Sequence, residues 1–104
     1  MSNAEMLTEI KRRLAKAYAG RLRNVVLYGS LARRQARADS DIDILVLLAG
    51  PVRLWADLRT ALLALYPLSL RLDRPISPKP VDIQEYESQD CPLYRTARRE
   101  GITL

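Results

Sequence analysis

The period of the apolar positions changes several times along the chain, and each change marks an element. Met6, Leu7, Ile10, Leu14 and Ala17 recur at helical spacing, with Lys11, Arg12, Arg13 and Lys16 between them. That spacing predicts a helix over 5–18, stopped near Gly20. Residues 24–28 form a short β-branched and apolar run, expected as a buried strand ending at Gly29-Ser30. A short helix is expected from Ser30, which can cap it, to about Arg37. The clearest strand is 41–48. Its alternation puts Asp41, Asp43, Leu45 and Leu47 on one face and Ile42, Ile44, Val46 and Leu48 on the other. Apolar on both faces beyond its first residues, it is expected to be central in its sheet.

Gly50-Pro51 reads as a turn, and 52–65 as a second long helix. Leu54, Trp55, Leu58, Leu62 and Leu65 would form its core face, and Pro67 would stop it. Leu68, Leu70 and Leu72 alternate, which fits an edge strand or a loop. Pro75, Pro78 and Pro80 suggest a stiff connector. Residues 81–86 are a third strand candidate, and 93–100 a last helix stopped by Gly101. This order predicts an α/β (α+β) domain: a small mixed sheet with helices packed mainly on one face. No repeat or composition break divides 1–104, so one domain is expected.

Composition narrows the chemistry. The chain has 104 residues, one cysteine and no histidine. An internal disulfide framework, histidine-based catalysis and Cys/His zinc sites are therefore excluded. Any reactive groups are expected to be carboxylates. The apolar run 44–50 is far too short to span a membrane. With no signal-peptide pattern, the cytoplasm is the expected compartment. The net charge of +5 favours phosphates or acidic partners. Without phenylalanine, and with a single tryptophan, the basic residues lack the interleaved aromatics of a nucleic-acid binder.

Asp41 and Asp43 are the unusual feature. Two carboxylates on one strand face repel each other, and taken alone they read equally well as a solvated strand end. Hard oxygen donors at this spacing suit Mg²⁺ or Mn²⁺. A third carboxylate would complete a two-metal site, and Asp82, opening the third strand candidate, is the expected one. Its plain alternative is a surface strand residue. Gly29 and Ser30 add a glycine that admits close backbone approach and a helix start that favours anions. Together they read as a phosphate cradle. Of the nearby arginines, Arg33 stands closest behind the cradle. Trp55 is expected in the core.

The string "GSLARRQARADSDIDILV" joins these parts: Gly29-Ser30, ten intervening residues, then Asp41-x-Asp43. It resembles the signature of the DNA polymerase β-like nucleotidyltransferases. Among them it is similar to the minimal, MNT-type antitoxins of HEPN/MNT toxin–antitoxin pairs. The resemblance runs from the strand before Gly29 through Asp82. It implies the polymerase β-like palm fold, with Gly29, Ser30 and Arg33 at the nucleotide. It also implies Asp41, Asp43 and Asp82 as metal-binding catalytic residues holding two Mg²⁺. The implied reaction is attack of a hydroxyl on the α-phosphate of ATP, with AMP passing to a tyrosine of a partner HEPN toxin. Two alternatives stay open: an antitoxin of this fold that acts by covering its partner, and a small-molecule nucleotidyltransferase.

Overall fold

In a computed structural model the chain forms a four-stranded sheet with helices on both faces. The structure describes residues 1–29, 32 and 40–104. The short helix expected after Ser30 falls outside them, except for Ala32.

Helix α1 spans Asn3–Tyr18 and is opened by a capping box, in which the Ser2 hydroxyl accepts from Glu5 N and the Glu5 carboxylate accepts from Ser2 N. A 3₁₀ turn at Ala19–Arg21 leads into β1, Leu22–Tyr28. The residue with positive φ there is Ala19 (φ 53), one position before the expected Gly20. Strand β2 is Ile42–Leu48, and helix α2 is Leu54–Leu72. Strand β3, Ile76–Asp82, is followed by α3 (Ile83–Ser88), α4 (Pro92–Glu100) and a short β4 (Ile102–Thr103). The order across the sheet is β3-β2-β1-β4. β1 runs antiparallel to β2 and β4, while β3 runs parallel to β2. The mixed sheet and the central place of β2 are as expected.

The two faces of β2 feed two cores. Ile42, Ile44, Val46 and Leu48 pack with Val25, Leu27 and Ile76 under Met6, Ile10 and Leu14 of α1 and Ala61, Leu65 and Leu68 of α2. Leu45 and Leu47 pack on the other face with Val26, Val81, Tyr86 of α3 and Ala97 of α4. A crossover helix must return the chain to start a parallel strand, and α2 does this between β2 and β3.

Three expectations in this region are corrected. Pro67 does not stop α2. It lies inside the helix, which runs on to Leu72 and ends at Asp73 in a left-handed conformation. Leu68, Leu70 and Leu72 are therefore helical. Pro75 stands just before β3, and Pro78 and Pro80 are not a connector but buried positions of the strand. They share one phase of the strand, so the ladder to β2 falls to the N–H groups of Ser77, Lys79 and Val81. Finally, the core face of α2 is Asp57, Ala61, Leu65 and Leu68, and Trp55 is 79% exposed. Large apolar residues stand on the exposed side of the helix as well as the buried one, so the apolar count alone did not select the buried arc.

Asp57 is the one buried charged residue among those described. Arg21 grips it with two nitrogens at 2.8 and 3.0 Å, and Arg53 N donates to it at 2.9 Å. The Arg21 guanidinium holds its carboxyl below the usual range. The Tyr18 hydroxyl donates to the carbonyl of the same residue, tying α1 to the start of α2. No helix among the described residues is long and apolar enough to cross a membrane.

Candidate active site

One end of the sheet gathers the end of β1 and the starts of β2 and β3. Register places Tyr28 of β1 and Ser77 of β3 on either side of Asp43. Ile42 N is tied to Pro75 O at 2.9 Å, which fixes β3 against the start of β2. Asp41 stands just before β2 and is exposed, and Asp43 is half-buried. Alternation turns Asp43 toward the Leu45/Leu47 face, with Asp41 in the same phase.

Gly29 follows β1 with φ 78, a conformation side chains rarely adopt. A Cβ there would meet Asp43 Oδ2 at 2.6 Å. The carboxylate thus lies directly over the glycine turn, and only a glycine leaves it room. Burial raises the Tyr28 hydroxyl above its ordinary pKa, and the nearby Asp43 charge raises it further. Tyr28 therefore stays a neutral donor beside the carboxylate.

The structure sets Asp43 against Gly29, and Asp41 stands exposed just before β2. Ser30 and Arg33 lie outside the described residues. Asp82 is not brought to this site. It pairs with Leu48, while Asp43 pairs with Ser77. Five residues of strand, at about 3.3 Å each, put it roughly 17 Å further along the sheet. It also lies in the opposite phase from Ser77 and Val81, so it faces the other side. There its carboxylate caps α3, accepting from Gln84 N at 2.8 Å, and its Oδ2 sits where a Cβ on Gly50 would be, 1.9 Å away. The strand expected over 81–86 is corrected: β3 runs Ile76–Asp82, so Asp82 closes it instead of opening it, and the residues after it form helix α3. Among the described residues no three Asp, Glu, Cys or His side chains converge as a metal site. The place facing Asp43 on β3 belongs to Ser77, with Lys79 next on the same face opposite Leu45. Both are exposed, and parallel register, which no sequence pattern declares, is what reveals them.

A carboxylate over a glycine turn, with a second one two residues before it, suits a hard divalent cation that enters with a phosphate ligand, because Mg²⁺ commonly takes one or two carboxylates plus substrate oxygens. The donor set fits such a cation without a third carboxylate.

Residues 8–104 match the family described as Polymerase beta, Nucleotidyltransferase. The chain belongs to this family. Several solved structures are similar to it in fold. A toxin–antitoxin crystallised with AMP-PNP superimposes with a TM-score of 0.65 at 20% identity, over 98% of this chain and 72% of that one. The spectinomycin adenyltransferase AAD(9) of Enterococcus faecialis, with ATP and spectinomycin, gives 0.75 at 17% identity, over 99% of this chain and 56% of its own. A tri-AMPylated Shewanella oneidensis HEPN toxin in complex with MNT antitoxin gives 0.57 at 18% identity, over 94% and 70%. A comparison with curated proteins finds no match.

Proposed function

We propose that this nucleotidyltransferase moves an adenylyl group from ATP to a hydroxyl of a partner HEPN-type toxin, and so acts as an antitoxin. The observation that carries the reading is Asp43 lying over the Gly29 turn, with Asp41 in the same phase. The family supports the reaction class, and the toxin–antitoxin relatives support the partner.

In the proposed reaction the acceptor oxygen forms a bond to the α-phosphorus as the bond to the bridging β-phosphate oxygen breaks. Pyrophosphate leaves, and the hydroxyl proton passes to solvent or to one of the two aspartates. Gly29 leaves the Asp43 carboxylate its place at the turn, and Tyr28 offers a neutral hydrogen-bond donor on the same side. Asp41 and Asp43 would hold Mg²⁺, which when bound neutralises the charge of phosphate oxygens. Asp82 takes no part. Ser77 and Lys79 border the site where a third carboxylate was expected.

That no third carboxylate among the described residues joins the pair favours one rival, an antitoxin of this fold that silences its partner by covering it. Intact mass spectrometry separates the two. A HEPN-type protein is incubated with this chain, ATP and Mg²⁺, beside the Asp41→Asn/Asp43→Asn variant. The expected result is a mass gain of one or more AMP units with the native chain alone. A stable complex with no gain would replace the enzyme with the steric antitoxin.

A further inference from the structure

The strand that flanks Asp43 on its β3 side offers the wrong charge for a pair of metal ions. In the parallel ladder Asp43 stands opposite Ser77, and Leu45 opposite Lys79. Paired positions on neighbouring strands share a face and lie about 4.8 Å apart. Ser77 and Lys79 are therefore on the Asp43 face, in the phase of Val81, which packs with Leu45 and Leu47 in the second core. Both are exposed, whereas the alternate positions Ile76, Pro78 and Pro80 are buried.

The β3 position facing Asp43 is thus a neutral hydroxyl, and the next one on that face is an ammonium. Lys79 enters no ion pair among the described residues. Two residues of strand, roughly 7 Å, separate it from the level of Ser77, and its four-carbon stem covers most of that distance. Two divalent ions about 3.5–4 Å apart repel each other far more than unit charges would, so such a pair needs enough carboxylates to offset the repulsion. Asp41 and Asp43 supply two negative charges, and Lys79 offsets one of them.

We propose that this site takes one divalent cation, held by Asp41 and Asp43 together with the phosphates of the nucleotide, and that Lys79 stands in place of a second ion as a fixed cation for those phosphates. The inference rests on the proposed nucleotidyl transfer and departs from the two Mg²⁺ that the sequence resemblance implies. Lys79 acts in two ways. As a point charge it attracts phosphate oxygens. By the same charge it keeps a second dication away from the β3 side of the site. Ser77 leaves that side without an anionic ligand.

Counting ions tests this without measuring activity. The full chain, in excess over a non-hydrolysable ATP analogue, is titrated with Mn²⁺, and free Mn²⁺ is read by electron paramagnetic resonance. The expected result is one Mn²⁺ per analogue on the native chain and two on Ser77→Asp, which restores a carboxylate opposite Asp43. The second ion should bind about tenfold more tightly to Ser77→Asp/Lys79→Gln than to Ser77→Asp. In calorimetry Lys79→Gln should weaken the analogue about tenfold, and Lys79→Arg should bind it as the native chain does. Two Mn²⁺ per analogue on the native chain would overturn the proposal and leave the transfer reading standing. A single ion on Ser77→Asp, or native affinity in Lys79→Gln, would put β3 outside the site and overturn it as well. No ion at all with the analogue would remove the transfer reading along with it. The transfer reading can also fail by itself, since none of these counts needs a toxin or a mass gain.

Discussion

Substitutions at Asp82 test the placement of the site most sharply. Coordination bonds to Mg²⁺ are about 2.0–2.1 Å long, and paired metal ions sit about 3.5–4 Å apart. A carboxylate roughly 17 Å along the sheet and on its other side cannot share a cation with Asp43. Its work is local: it accepts from Gln84 N at the start of a six-residue helix that brings Tyr86 into the second core. Asparagine caps helices about as well as aspartate, so Asp82→Asn should leave stability and activity near native. Asp82→Ala removes the cap and should cost about 1 kcal/mol, which for a chain of this size lowers Tm by about 4–8 °C. Its activity should survive at temperatures where it is folded. Asp43→Asn is the contrast. It should keep its Tm and lose at least about a hundredfold in transfer, as expected when several kcal/mol of charge stabilisation is removed. Thermal melts followed by circular dichroism, beside adenylyl transfer measured by intact mass, read both quantities. If Asp82→Asn abolished transfer with an unchanged Tm, Asp82 would belong to the site and the β2–β3 register would be refuted.

Gly29→Ala forces a left-handed backbone on a side chain and drives a Cβ to 2.6 Å from Asp43 Oδ2. It should lose about 1–2 kcal/mol in chemical denaturation and most nucleotide affinity in calorimetry. Arg21→Ala strands the buried Asp57 carboxylate. Because Arg21 is itself partly exposed, the loss should fall near 2–3 kcal/mol, between surface and buried pairs. Asp57 has a lowered native pKa, so its stabilisation is present above the ordinary value of 3.8 and fades as pH falls below it. Urea midpoints measured from pH 5 down to pH 2 should therefore decline less steeply in Arg21→Ala than in the native chain. At the alkaline end, burial pushes Tyr18 from 10.0 up to about 12, so the native state keeps a proton the unfolded chain gives up. Stability should decline from pH 10 to 12, and Tyr18→Phe should flatten that slope.

Much of this molecule was legible because short-range rules govern it. β2 announced itself by alternation, and α1 by its 3.6-residue stripe. The Gly29 turn and the Asp41/Asp43 pair stood out because no folding argument placed them together. What stayed hidden depends on partners distant in sequence. Asp82 looked like a strand-opening carboxylate until parallel pairing set β3 six residues earlier. The β3 prolines looked like a linker because an edge strand tolerates them in a way a central strand does not. Trp55 looked like core because α2 carries large apolar residues on its exposed side too, and only the docked sheet decides which side is inside. Ser77 and Lys79 carried no signal at all.

Pro78 and Pro80 also shape how this molecule can be approached. The outer border of β3 lacks donors at both positions, and at the other border β4 is two residues long. Neither side offers a template on which a stranger's backbone can extend the sheet. Any complex must then be written in side chains, which change one substitution at a time.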